Sequence, residues 1–423
     1  MNKVLQIKRL IHNRLPSPGE KCIVLLTGAR QTGKTTSAKF LYSGLNNYNM
    51  DSIEYRHQLM EVPSRQWGTV VGNAVLDEVQ KQPELLEKVK YAYDAEEISF
   101  SVLLGSAQIL LMKSVRETLA GRVLIYELWP LTYTELLNHY HSDAGPPLFA
   151  GLADTENVQA LLAAQPSSII SPALDVYKET EEYMLKWGGM PGIMSLSEKR
   201  KMDWLRSYNL SYLERDLSDL ARLNDLMPFR KFHQLSALRS SQLLSYSEIA
   251  NDAGISVVTA RQYFEYLKIS YQVFFLAPFS QNLTSTVVKT PKIYWTDIGL
   301  WRMLTGQTGK VTGPVFENFV IAEIMKLISA LDLKAELTYY RTRSGLEIDA
   351  LLSTPRGIMG FEIKARERTV PKDASGLRKI GKALGKKWLG GIIVYRGNKI
   401  ENLGSGIWAV PSYRLLGCVP VSL

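Results

Sequence analysis

Cys22-Ile23-Val24-Leu25-Leu26-Thr27-Gly28-Ala29-Arg30-Gln31-Thr32-Gly33-Lys34-Thr35-Thr36 is the stretch on which the reading of this chain turns. Its first five residues are wholly apolar and partly β-branched, which predicts a strand buried on both faces, as in a parallel sheet. Gly28 to Thr35 then satisfies G-x-x-x-x-G-K-[ST] at every defined position, directly after that strand and ahead of a helix expected to begin near Lys34. The pattern has a physical purpose. Glycines let consecutive backbone N–H groups curl around a phosphate with no Cβ in the way, and the helix that follows points its positive dipole end at the same anion. Gly28, Ala29, Arg30, Gln31, Thr32, Gly33, Lys34, Thr35 and Thr36 are therefore the expected nucleotide contacts. Lys34 is expected to reach the β- and γ-phosphates, and the Thr35 hydroxyl to ligate Mg²⁺. ATP and Mg²⁺ are the implied cofactors.

Ala74-Val75-Leu76-Asp77-Glu78, an apolar strand ending in two acids, supplies the complementary half of such a site. Asp77 at the strand tip suits the Mg²⁺ shell, and Glu78 suits polarisation of the attacking water. An acid pair after a strand is often only the first turn of a helix; with a phosphate loop on what is read as the neighbouring strand, it becomes catalytic. Ser101-Val102-Leu103-Leu104 and Val123-Leu124-Ile125-Tyr126 repeat the buried-strand texture, with helical stretches such as Pro83–Val89 between, so the first 130 residues or so predict a three-layer α/β domain. Ser106, just past the third of these strands, is placed to sense the γ-phosphate; its plain alternative is a helix N-cap. Arg116 and Arg122 are candidates for an arginine finger, with Arg122 preferred.

Composition narrows the class. The 423 residues are 46% hydrophobic and 22% charged, which excludes intrinsic disorder and suggests several domains. No apolar run approaches the roughly 18 residues of a membrane helix, and Met1–Leu10 offers no signal-peptide core. A cytoplasmic protein without a membrane partner is expected. Cys22 and Cys418 lie too far apart in sequence for a disulfide framework or a structural zinc site. Lys and Arg total 50 against 41 Asp and Glu, and between Arg356 and Lys399 twelve basic residues face three acids. Such a patch attracts polyanions, DNA or another nucleic acid first, although a lysine-rich solvated surface reads the same way.

Ser247 to Tyr263 has the spacing of a helix-turn-helix. Ser247 is expected to cap the first helix, Gly254 to permit the turn and Ser256 to cap the second. Ile249, Ile255 and Val258 are expected to form the core between them. Thr259, Arg261 and Gln262 would then face a DNA groove, unless the unit is simply a packing module. Further on, Leu346–Leu352 and Ile358–Lys364 alternate as strands around the turn Thr354-Pro355-Arg356-Gly357. Pairing Ser353 with Ile358 sets Asp349 opposite Glu362 and Glu347 opposite Lys364, on one face. Opposed carboxylates repel unless a cation sits between them, so Asp349, Glu362 and Lys364 read as a D…E-x-K site for Mg²⁺-assisted phosphodiester cleavage, with Glu317 as a third metal carboxylate. The alternative is a salt-bridge ladder of Glu347 with Lys364.

Taken together, Gly28–Thr36, Leu76-Asp77-Glu78, Leu119-Ala120-Gly121-Arg122 with Trp129-Pro130-Leu131, Trp187-Gly188-Gly189-Met190-Pro191, Lys292–Leu300 and Tyr340–Asp349 resemble bacterial and archaeal AAA-superfamily ATPases with a C-terminal domain of unknown function. The resemblance implies an α/β P-loop NTPase domain of the AAA type (1–150), a helical lid or connector (151–235), a winged helix-turn-helix (236–300) and a restriction-endonuclease-like α/β domain of the PD-(D/E)XK kind (301–423). The expected function is ATP binding and hydrolysis coupled to nucleic acid, with Mg²⁺-dependent cleavage in view and self-association into a homo-oligomer left open. The competing expectation is a non-enzymatic ATP-driven switch that acts on a protein partner and carries an inactive nuclease-like domain.

Overall fold

The computed structural model describes residues 7–105, 115, 117–141, 145–169, 173–211, 226–279 and 288–417. Ser106, Arg116 and Cys418 lie outside the described residues. The N-terminal part is a parallel sheet of five strands: β1 (Cys22–Thr27), β2 (Asn46–Asn49), β3 (Ala74–Asp77), β4 (Phe100–Leu104) and β5 (Val123–Glu127), in the spatial order β2-β3-β4-β1-β5. Every residue of β1, β3 and β4 is buried, as their unbroken apolar runs require. Two expectations need correction. β4 lies between β1 and β3, so the phosphate loop and the acid pair sit on strands one apart rather than adjacent. β2 was not foreseen either, because Asn46-Asn47-Tyr48-Asn49 is polar; it can be so because it is an outer strand with little buried surface.

Beyond the sheet the chain is mostly helical, through Ala173–Trp187, Glu198–Ser211 and Met227–Leu238. The latter packs on α2 (Tyr246–Ala253), and α3 (Val257–Ile269) follows (here α1 is Lys34–Leu41). Gly254 closes α2 at φ 74°, a left-handed turn that glycine adopts without penalty. Ser256 caps α3 by accepting from the Thr259 amide. The cap of α2 is Ser245, not Ser247, and accepts from the Glu248 amide. Ile249 is buried as expected, but Val258 is 75% exposed and belongs to no core. A two-stranded antiparallel sheet, β6 (Val273–Leu276) with β7 (Lys292–Trp295), completes this unit.

The C-terminal part begins with the helix α4 (Gly313–Leu331) and continues through β8 (Glu336–Arg341), β9 (Glu347–Thr354) and β10 (Gly357–Lys364), an antiparallel meander. Helix α5 (Ser375–Leu384) then crosses to β11 (Trp388–Tyr395), which runs parallel to β10. β12 (Glu401–Asn402) and β13 (Ile407–Pro411) finish a six-stranded sheet ordered β12-β13-β11-β10-β9-β8. The hairpin register is the expected one: Ile358 pairs with Ser353 and Phe361 with Ala350. Phe316, Phe319 and Val320 of α4 cluster with Met359, Phe361 and Ile392, while Leu377, Ile380 and Leu384 of α5 cluster with Ile348, Ile358 and Ile393. The two helices therefore cover opposite faces. One apolar cluster runs from Tyr133 to Leu416, across the expected boundaries at 150, 235 and 300. Among the described residues no helix is long and apolar enough to cross a membrane.

Candidate functional site

The phosphate loop lies between the C-terminal end of β1 and α1. Gly28 has φ 144°, and a Cβ there would come within 2.2 Å of the Leu128 carbonyl oxygen, so only glycine fits. Gly33, at φ 99°, is the left-handed N-cap of α1. Inside the loop the Thr32 hydroxyl donates to the Ala29 carbonyl at 2.9 Å. The Lys34 ammonium folds back onto the Gly28 and Ala29 carbonyls, at 3.0 and 2.8 Å. The Thr35 hydroxyl donates to Asp77 Oδ2 at 2.7 Å, so the two expected metal ligands already touch. Burial, more than any neighbour, raises the Asp77 carboxyl above its ordinary range, with the Thr35 bond opposing it. A buried acid bonded, among the described residues, to a hydroxyl and an amide suits a divalent cation, so these residues fit Mg²⁺. Glu78 adopts φ 54°, unusual for a residue with a side chain, and lines the same cavity.

That cavity holds about 530 Å³, and residues outside the motif complete its wall. Arg9, 5% exposed, donates to the Thr32 carbonyl at 2.7 Å and the Trp129 carbonyl at 2.6 Å, and pairs with Glu135 at 3.0 Å. His12 sits 5.7 Å from the Phe40 ring and bonds Ser37 at 3.0 Å; burial, then the Arg9 charge, holds its pKa at about 4, so the ring is neutral. Pro191, Gly192 and Ser195 approach from the helical part. They follow Gly189, whose carbonyl accepts from Leu131 N at 2.7 Å and whose amide donates to Asp297 at 2.7 Å. A Cβ on Gly189 would meet the Leu131 carbonyl oxygen at 2.1 Å. Arg9 and His12 carry no sequence signal of their own. The Trp187–Gly192 segment did, as a run of glycines interrupting helical texture.

Arg122 is a correction. It stands just before β5, the neighbour of β1, at the opposite end of the strands from the phosphate loop, and its guanidinium grips both oxygens of Asp94 at 2.6 and 3.0 Å. Five residues of strand, about 16 Å, separate the two ends. It does not reach this chain's own phosphates.

The carboxylate hairpin also departs in detail. Asp349 Oδ2 accepts from the Ile363 amide at 2.7 Å. Lys364 lies 2.6 Å from Glu362 and 3.9 Å from Asp349, so the acid pair and lysine do gather. Glu347 does not pair with Lys364; it takes Lys292 at 2.7 Å and Arg341 at 3.2 Å. Glu317 accepts from Tyr294 at 2.7 Å and pairs with Lys292 at 3.2 Å. Among the described residues no three His, Cys, Asp or Glu side chains are arranged to hold a metal. The expected trio of Asp349, Glu362 and Glu317 is thus not arranged as a metal cluster among the described residues: Glu317 bonds Lys292 and Tyr294, although it still feels the Asp349 charge. Burial first, then the Asp349 charge, pushes Glu317 up to about 7 and Glu362 up to about 8. Burial likewise raises Asp349. Glu362 Oε2 is buried with no hydrogen-bond partner among the described residues.

Residues 20–137 match the AAA domain family. The five-stranded parallel sheet and the phosphate loop of this segment agree with a P-loop NTPase fold. Residues 177–311 and 312–415 match two domains of unknown function, DUF8612 and DUF4143. Uncharacterized protein Mb2031c of Mycobacterium bovis is 27% identical over 421 residues, 97% of this chain and 83% of its own length. Among solved structures, a signal transduction ATPase with numerous domains and a tetratricopeptide repeat sensor, from Pyrococcus horikoshii, is 11% identical at a TM-score of 0.26; the match covers 75% of this chain and 44% of that one. The ORC2 protein of Aeropyrum pernix in its ADP form is 15% identical at a TM-score of 0.26, covering 63% of this chain and 84% of that one. Likeness at those TM-scores is too slight to argue from.

Proposed function

We propose that the chain is an ATP-hydrolysing ATPase whose C-terminal half engages DNA. The observation that carries the first part is the 2.7 Å contact of Thr35 with Asp77, beside Lys34 and Glu78 at one cavity. On nucleotide binding Lys34 exchanges its two carbonyl partners for phosphate oxygens, since a charged acceptor makes the stronger bond. Thr35 and Asp77 hold Mg²⁺, which when bound neutralises charge building on the phosphates. Glu78, which lines the cavity and accepts from the Gln80 side-chain amide, orients a water toward the γ-phosphate. Ile7, His12, Phe40 and Pro191 offer an apolar and aromatic wall for a base. The test is a steady-state ATPase assay on purified protein together with calorimetry. Lys34→Ala is expected to lose nucleotide binding, and wild-type binding by that variant would remove the phosphate loop from its role.

The DNA part rests on the helix-turn-helix with its two-stranded sheet, which is winged-helix-like, and on the order helix, three-stranded meander, helix, parallel strand, which is that of nuclease-like domains. Asp349 and Glu362 would hold a divalent ion at the unpartnered Glu362 oxygen, with Lys364 steadying charge. Plasmid incubated with Mg²⁺ or Mn²⁺ is expected to be nicked by the wild type and not by Asp349→Ala. Equal survival in both would leave a DNA-binding ATPase with a structural hairpin.

A further inference from the structure

A second cavity, of about 730 Å³ and open to solvent, lies where the helix-turn-helix meets the C-terminal sheet. It is lined by Ser241–Ser245, the first turn of α2, Val257 and Arg261 of α3, and Thr290 and Arg341. The segment Ser241–Leu244 is fixed by main-chain bonds to β7 and the residue before it: Ser241 N donates to Ile293 O at 2.8 Å, Leu244 N to Pro291 O at 2.8 Å, and Leu243 bridges Lys292. Lys292 is the buried lysine that joins Glu347 and Glu317, and Arg341 touches Glu347 at 3.2 Å. The groove and the carboxylate hairpin are therefore held at a set spacing by one strand.

Its chemistry is that of a phosphodiester contact: serine and threonine hydroxyls, the Gln242 amide, the amide end of α2, and two arginines, of which Arg341 is 40% exposed and also pairs with Glu347, with Glu248 as the one acid of the described lining. Arg261 lies with its guanidinium carbon 4.4 Å from the Tyr246 ring centroid. Stacking occupies the guanidinium face and uses none of its N–H donors. At the lip, Val257 and Val258 are 41% and 75% exposed at the start of α3, where the apolar face of a thymine methyl or a sugar is a suitable neighbour.

We propose that this groove seats one strand of a DNA duplex, with a phosphate between Arg261 and Arg341 over the first turn of α2. The first turn of α3 then lies toward the bases, and the strand leads on to Asp349 and Glu362. This rests on the DNA reading above, and the test separates the two. Full-length protein is titrated against a fluorescent duplex of about 20 base pairs across a salt series. Arg261→Ala and Arg341→Ala are each expected to weaken binding about five- to tenfold and to lower the log–log salt slope by about 0.9. Ser247→Glu, an acid that the first turn of a helix tolerates, is expected to cut binding further while leaving ATP binding unchanged. Lys379→Ala with Lys382→Ala, on the exposed face of α5, is the comparison. If that pair loses binding while the three groove variants match the wild type, the groove is wrong and DNA engagement stands. If the wild type binds no duplex at low salt, both fall.

Discussion

Glu78 and Glu362 are both acids at the end of a strand, and their surroundings give them opposite expectations. Glu78 faces an open cavity from a backbone angle that few residues adopt. Glu78→Gln keeps the shape and removes the base, so nucleotide affinity is expected to hold while turnover falls by about 100-fold or more; undiminished turnover would take Glu78 out of the chemistry. Glu362 and Glu317 are buried and raised to about 8 and about 7, from an ordinary value of 4.5. Between those limits the folded chain holds protons that the unfolded chain has released. Their contribution to stability is therefore full below about pH 4.5 and is lost as pH rises toward 8. Melting in EDTA is expected at a lower temperature near pH 8.5 than near pH 6. Glu362→Gln, which cannot ionise, should flatten the difference, and a wild-type Tm that climbs over that range would contradict the assignment. The identities of these acids were legible in the sequence. Their partners were not: Glu317 is held by Lys292 and Tyr294, about 25 positions away and on a different element.

At the scale of elements, two glycines separate backbone conformation from packing. Gly254 sits at φ 74° with open space around its Cβ position, so Gly254→Ala is strained only by the left-handed turn, about 1–2 kcal/mol. Gly299 has an ordinary backbone, but a Cβ there would lie 1.9 Å from the Trp187 carbonyl oxygen. Gly299→Ala must therefore push the first turn of Ile298–Thr305 away from the helix Ala173–Trp187, and a loss of roughly 3 kcal/mol or more is expected from denaturant melts. If the two variants melt alike, that close approach is not tight. The helix-turn-helix was readable because its caps and turn act locally. The cap itself shifted from Ser247 to Ser245, since either serine suits the role and tertiary contacts choose between them. β2 was missed for the converse reason: a polar outer strand is defined by its neighbour rather than by its own residues.

For the whole molecule, α4 joins the two halves. Near its end Ser329 accepts from the Trp129 indole at 2.9 Å, and Arg14 donates to the Ser329 carbonyl at 2.7 Å. Glu323 accepts from the Tyr133 amide at 2.6 Å and pairs with Lys326, which reaches the Leu131 carbonyl at 3.3 Å. Near its start Glu317 stands at the acid cluster. Arg9 links the Trp129 carbonyl to Thr32 of the phosphate loop. ATP is accordingly expected to slow amide exchange in the last turns of α4 as well as in the loop itself, and protection confined to residues 28–36 would deny the connection. Lys326→Met takes the cation from the buried Glu323, so a loss of about 3–5 kcal/mol in global stability is expected from denaturant unfolding.

The phosphate loop, its acid partner, the helix-turn-helix and the hairpin register were determined by sequence alone, because each depends on residues close together along the chain: a glycine where a Cβ cannot go, an acid at a strand tip, a turn that sets which residues oppose. Only the tertiary structure decided that β4 separates the two halves of the nucleotide site, that Arg122 lies at the far end of the strands and grips Asp94, and that Glu317 pairs with Lys292. Those outcomes depend on which distant surfaces are buried against each other, and burial sets both the strand order and the charge partner that a carboxylate must find.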